Sequence, residues 1–185
     1  MNPQDPPARD GLAPVLLPLA AGALVALALG VYGRVHTPTA FAVSVAGFSG
    51  PLPMKSWLTT LTLLLALAQL GSALLMYARP AAAPAPRRLG ALHRWSGRLA
   101  FLVSVPVAYH CLYALGTRLT EPRVVAHSLL GCFFYGVFTA KMLALTRRGV
   151  PGWALPVLGG LAFTAIVGLW LTSSFWFFTT FGPRL

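Results

Sequence analysis

The stretch ALHRWSGRLAFLVSVPVAYHCLYALG, residues Ala91 to Gly116, decides how the chain is read. It holds no acidic residue, and its apolar centre is flanked by Arg94 and Arg98 on one side. About 20 mostly apolar residues suffice to cross a bilayer, so the stretch reads as a transmembrane helix. It carries His93 at its start and His110 near its end. Ionisable side chains are costly inside a membrane and point to function by default, so these imidazoles raise the functional question.

The rest of the chain agrees with a membrane reading. Of 185 residues, 57% are hydrophobic and only 9% charged, far from the balance of a soluble domain. The formal charge of +11 comes from short clusters of arginine and lysine between apolar runs, which read as topology signals; no nucleic-acid partner is expected. Five spans are predicted, at about 12–33, 57–78, 92–115, 124–145 and 153–178. The expected fold class is an all-α integral membrane protein, a five-helix transmembrane bundle, in contact with the lipid bilayer. A polar tail covers residues 1–11, the bundle 12–178 and a short tail 179–185. The first span is expected to be uncleaved, since no small-residue cleavage site leads into a soluble domain. The segment Thr37–Pro53 is too interrupted by Gly and Pro to cross and is expected at the interface.

Orientation follows from the basic residues. With the N-terminus cytoplasmic, nine of them (Arg9, Arg79, Arg87, Arg88, Arg94, Arg98, Lys141, Arg147 and Arg148) fall inside. Five (Arg34, Lys55, Arg118, Arg123 and Arg184) fall outside. The positive-inside rule therefore favours a cytoplasmic N-terminus and an external C-terminus, in a bacterial plasma membrane given the Arg-, Ala-, Gly- and Pro-rich composition.

Depth then sorts the four histidines. At 1.5 Å rise per residue, His93 and His110 are separated by roughly 25 Å and lie in opposite leaflets. His110 near the end of the third span and His127 near the start of the fourth come to similar depth, on the same side as His36. Two neutral imidazoles from different helices can supply both axial positions of a b-type haem, which needs no CxxCH motif. His110 and His127 are the expected haem-iron ligands, with His93 and His36 as lesser candidates. Gly131, one turn from His127, could let a macrocycle approach, as could Gly97 and Gly136. Phe133, Phe134, Phe138, Tyr109 and Tyr113 could wall the pocket, and Arg118 and Arg123 could pair with propionates. One haem is expected rather than two, because His93 and His110 stand about 100° apart around a helix. Lys141, with His93, Arg94 and Arg98, would form a basic cluster at the other leaflet for a propionate, a quinone oxygen or a lipid phosphate.

Other readings stay open. The histidines could do no more than hydrogen-bond between helices in a scaffold, accessory or permeation subunit. A copper site could use His36, His110 and His127 beside Cys111. Cys111 and Cys132 lie in apolar runs and read as packing thiols rather than a disulfide. The absence of P-loop, GxGxxG and GxSxG motifs, and a total of only three carboxylates, argue against nucleotide, flavin and hydrolase chemistry. Electrons would therefore have to pass through a partner protein or a membrane-soluble quinone, in a homo- or hetero-oligomer.

Three segments, HRWSGRLAFLVSVPVAYHCLYALG, RVVAHSLLGCFFYGVFTAKMLAL and PGWALPVLGGLAFTAIVGLWLTSSFWFF, resemble a bacterial membrane family catalogued as domain of unknown function 6529. More loosely, an Arg-Gly entry followed by a helix ending in histidine resembles cytochrome b561 and ferric-reductase-like transmembrane domains. That looser resemblance implies b-haem, electron transfer and oxidation of a quinol or reduced carrier. Only His110 and His127 sit where it would put ligands.

Overall fold

In a computed structural model that describes residues 13–39, 47–80, 86–117 and 121–185, every regular element is helical. The elements are α1 (Ala13–Val35), α2 (Pro51–Tyr77), α3 (Arg87–Tyr109), α4 (Pro122–Leu145), α5 (Ala154–Trp170) and α6 (Trp176–Phe181). A π-helical turn, His110–Leu115, prolongs α3, and another, Leu171–Phe175, joins α5 to α6 without a break. Five helical stretches are thereby long and apolar enough to cross a membrane. Helices suit that solvent because each backbone polar group finds its partner within the segment.

Two boundaries differ from the sequence reading. α2 starts at Pro51 rather than near Trp57, and so takes in Lys55 and the end of the segment expected at the interface. Gly50 precedes it and proline occupies its first turn, where a missing N–H costs nothing. α3 starts at Arg87, five residues before Leu92, on a run of basic residues. Residues 40–46 of the expected interfacial segment lie outside the described residues.

Helices α1 and α4 pack through small residues. Gly22 and Gly136 face one another so closely that a β-carbon on Gly136 would come 2.7 Å from the Gly22 carbonyl oxygen and 2.9 Å from Ala26 Cβ. Gly22 with Ala26, and Gly136 with Ala140, each repeat a small residue every four positions. This arrangement lets two backbones meet where lipid offers no hydrophobic drive to associate.

α2 runs antiparallel along α3 and also packs on α5. It is inside out relative to a soluble helix: Ser56, Thr59, Thr62 and Ser72 are buried, whereas Leu64, Leu74 and Leu75 face outward. Ala66, Phe134, Ala165 and Ile166 form an apolar core among α2, α4 and α5. Val137, Ala140, Ala144 and Leu158 continue it along α4 and α5. α3 and α4, neighbours in sequence, are bridged by long side chains: Phe101 stacks on Phe138 at 4.3 Å, and Ser104 hydrogen-bonds Tyr135 at 2.9 Å.

Candidate functional site: a cavity beside His127

Beyond that aromatic bridge, toward the end that holds Arg123, a cavity of about 370 Å³ opens between the helices. Small-molecule sites typically run from about 300 to 1,000 Å³. Its floor is Thr62, Ser104, Phe134, Tyr135 and Ile166, and its walls include Cys111, Leu112, Gly131, Cys132 and Leu169. Lys55, Ser56, Arg123, His127, Thr172 and Trp176 supply its polar end.

Both π-helical turns border this space, Cys111, Leu112 and Leu115 from the first and Thr172 and Ser173 from the second. Each has a local cause. Pro106 has no N–H to give the preceding turn of α3, loosening the ladder just before His110. In the second, Thr172 donates to the Gly168 carbonyl at 2.7 Å and Ser173 to the Leu169 carbonyl at 2.7 Å, competing with the backbone for acceptors. π-helical turns occur often at functional sites because they re-aim side chains.

His127 is anchored to the turn after α5. Its Nδ1 lies 2.9 Å from Thr172 Oγ1. The Thr172 hydroxyl also lies 2.7 Å from the Gly168 carbonyl and 3.2 Å from the Leu169 carbonyl, and donation to either of these leaves Oγ1 to accept from Nδ1–H. Nε2 makes no hydrogen bond among the described residues, and with the proton on Nδ1 it offers its lone pair. A neutral imidazole oriented this way is what a metal ion, or a ligand hydroxyl, requires.

Arg123 supports the same corner. Its guanidinium donates to the Thr172 carbonyl at 2.8 Å, lies 4.0 Å from the Trp176 ring centre and approaches Glu121 at 3.6 Å. Thr172 thus receives Arg123 on its carbonyl and His127 on its hydroxyl, tying α4 to the turn after α5. Lys55 differs, because no ion pair to it occurs among the described residues, whose only side-chain carboxylate belongs to Glu121. Its ammonium lies within electrostatic reach of His110, Cys111 and His127. The N-termini of α2 and α4 add partial positive charge at the same end.

The remaining sequence candidates separate from this site. His110 is 3% exposed and does not line the cavity; its Nδ1 has no hydrogen-bond partner. Ser72 meets His93 and Gln69 fills the space over Gly97, and the same antiparallel register sets Ser56 level with His110. Ser56 is fully buried and its Oγ is likewise unpartnered. His36 donates from Nε2 to the Tyr113 carbonyl at 3.1 Å and stacks between Tyr32 and Tyr113, pinning α1 to the turn after α3. His93 donates from Nδ1 to the Gln69 carbonyl at 3.2 Å and lies 3.1 Å from the Ser72 hydroxyl, a lock between α2 and α3. Arg98 stacks over Trp95 at 5.2 Å, while Lys141 and Arg94 lie in the electrostatic surroundings of His93.

Gly131 does line the cavity, but the two other glycines proposed as macrocycle surfaces are taken: Gly97 by the Gln69 amide and Gly136 by α1. Phe133 and Tyr109 face outward instead of walling the pocket. Phe138 is occupied by Phe101, and Tyr113 by Tyr109 and His36. No group of three or more His, Cys, Asp or Glu able to hold a metal ion occurs among the described residues, so the alternative copper set of His36, His110, His127 and Cys111 is not brought together. Arg118 lies outside the described residues.

Lys55 and Thr172 were missed by the sequence reading. The signal for Lys55 was present in GPLPMKSW, where Gly-Pro marks a helix start ahead of the lysine and so puts it on the helix.

Residues 15–185 match the model of a family of unknown function, domain of unknown function 6529. The chain belongs to this family. The match covers all five membrane-length helices apart from the first two residues of α1. No curated protein and no solved structure matches the chain.

Proposed function

We propose that this member of the family binds a b-type haem in the cavity beside His127 and works as an electron-transfer subunit of a bacterial membrane redox system, quinol-linked or ferric-reductase-like. The observation that carries the reading is the bare Nε2 of His127, on a wall of the cavity, with the opposite ring nitrogen fixed by Thr172. That is the outer support an iron-ligating imidazole needs. Lys55 suits a propionate, and Phe134, Ile166 and Leu169 suit the ring. When bound, haem supplies a one-electron couple; the chain orients the imidazole, excludes water and sets the local charge. His110 stands off the lining, so His127 is the one axial ligand the cavity supports, and a second is not drawn from His36 or His93. With the N-terminus cytoplasmic, the Arg123 end of the cavity would face the outer leaflet.

A second reading, a non-haem accessory subunit whose cavity takes a quinone-like or lipid-like molecule, is favoured by the engagement of His36 and His93 in hydrogen bonds between helices. Spectra of the full chain purified from haem-replete cells separate the two. A reduced-minus-oxidised b-type band lost in His127→Ala supports the first reading, and colourless protein that carries an extractable apolar molecule supports the second.

A further inference from the structure

The polar end of the cavity is built unlike its surroundings. Three of the four buried hydroxyls of α2 are spent on backbone carbonyls: Thr59 on Lys55 at 2.7 Å, Thr62 on Leu58 at 2.9 Å and Ser72 on Gln69 at 2.8 Å. The fourth, Ser56 Oγ, is completely buried and has no hydrogen-bond partner among the described residues, and Ser56 belongs to the residues that surround the cavity. Beside it in sequence stands Lys55, also on the lining, with no carboxylate paired to it among the described residues. Arg123 cannot play the same part, because the Thr172 carbonyl, the Trp176 ring and Glu121 already engage its guanidinium. An ammonium without a counter-charge at one end of a largely apolar cavity is a recognition group for an anion. Two helix N-termini point the same way.

We propose that Lys55 forms a carboxylate-binding subsite, so that the molecule held in this cavity presents a carboxylate on an apolar body. The inference rests on the cavity being a binding site, not on haem as its occupant. The chemistry is shared by two sources, a haem propionate and the head of a single-chain fatty acid. In either case Lys55 donates to the carboxylate, while the apolar body lies toward Phe134 and Leu169. Lys55 is thereby a specificity residue for charge, distinct from His127, which would act on the ring or on a hydroxyl.

The test uses the full chain in phosphatidylcholine nanodiscs, so that no anionic lipid competes. Two matched pairs are titrated: haem against its dimethyl ester, by absorbance, and radiolabelled hexadecanoate against hexadecanol. In the wild type the acid of at least one pair should bind about tenfold or more tightly than its neutral partner, the scale of a charge-assisted hydrogen bond. Lys55→Gln should abolish that preference, leave the neutral ligand unchanged and elute at the wild-type volume. Lys55→Arg, which keeps the charge, should retain the preference and guards against a folding defect in the first variant. Preference within the haem pair assigns the carboxylate to a propionate, and preference within the hexadecyl pair assigns it to a free amphiphile. Equal binding of acid and neutral forms, no binding of any of the four, or a preference that survives in Lys55→Gln overturns the proposal. Haem binding that depends on His127 but not on Lys55 overturns this inference and leaves the haem reading standing. Hexadecanoate binding that depends on Lys55, with no haem binding, does the reverse.

Discussion

Replacing Gly136 by alanine adds one methyl group at the crossing of α1 and α4, where the structure allows none. The new β-carbon would lie 2.7 Å from the Gly22 carbonyl oxygen and 2.9 Å from Ala26 Cβ, and the first of these is backbone, so relief requires the helices to move apart. Overpacking of this kind costs about 1–3 kcal/mol. Alanine returns about 1 kcal/mol through its better helix propensity. The net expectation is a loss of up to about 2 kcal/mol, or up to roughly 8 °C in Tm for a chain of this size. The control is Gly160→Ala on α5, where a β-carbon would meet nothing within 4 Å. There only the propensity gain remains, and the variant should be as stable as wild type or up to about 1 kcal/mol more stable. Thermal unfolding of both proteins in the same detergent, followed by circular dichroism, reads the difference. Equal midpoints for the two variants would refute the close crossing. Because α4 also carries His127 and Cys132, Gly136→Ala should weaken ligand binding in the cavity as well.

Three further predictions concern the polar locks. Thr172→Val keeps the shape but removes the acceptor for His127 Nδ1, and should lower haem affinity by about 10- to 100-fold, whereas Thr172→Ser should restore most of it; absorbance titration measures both. His93→Ala and His36→Ala should each cost about 0.6–1.7 kcal/mol, the range of hydrogen bonds between membrane helices, and leave any b-type spectrum unaltered. A spectral change in either variant would return that histidine to the cofactor site. Tyr135→Phe breaks the Ser104 hydrogen bond at the cavity floor and should cost about 0.6 kcal/mol in detergent unfolding, with a loss above about 2 kcal/mol contradicting the assignment.

Five apolar runs of bilayer length announce five helices, because in lipid the hydrocarbon thickness sets helix length directly. Helix pairing was also written in the chain, in GALVA and GVFTA, whose small residues recur at the four-residue interval a close crossing needs. So was the interior face of α2, since Ser56, Thr59, Thr62 and Ser72 fall three or four residues apart, apart from the gap filled by Ala66 and Gln69. Depth matching brought His110 and His127 level but could not tell which way each points. That depends on rotation about the helix axis, and Pro106 and the π-helical turn alter it just before and at His110. The Thr172 partner of His127 was illegible for a similar reason, as it depends on hydroxyls in LTSSF competing for backbone carbonyls. Lys55 read as a topology charge because the second span was begun after it, and extending the helix to Pro51 turns the same lysine into part of a binding cavity.

The central claim is that His127 is an iron ligand in a membrane electron carrier. Its most direct test is the reduced-minus-oxidised absorption spectrum of the full chain, purified from haem-supplemented cells beside His127→Ala. The expected result is a b-type α-band in the wild type that is lost in a variant still inserted and monodisperse. Wild-type protein without haem absorbance, or a band of equal strength in His127→Ala, would contradict it.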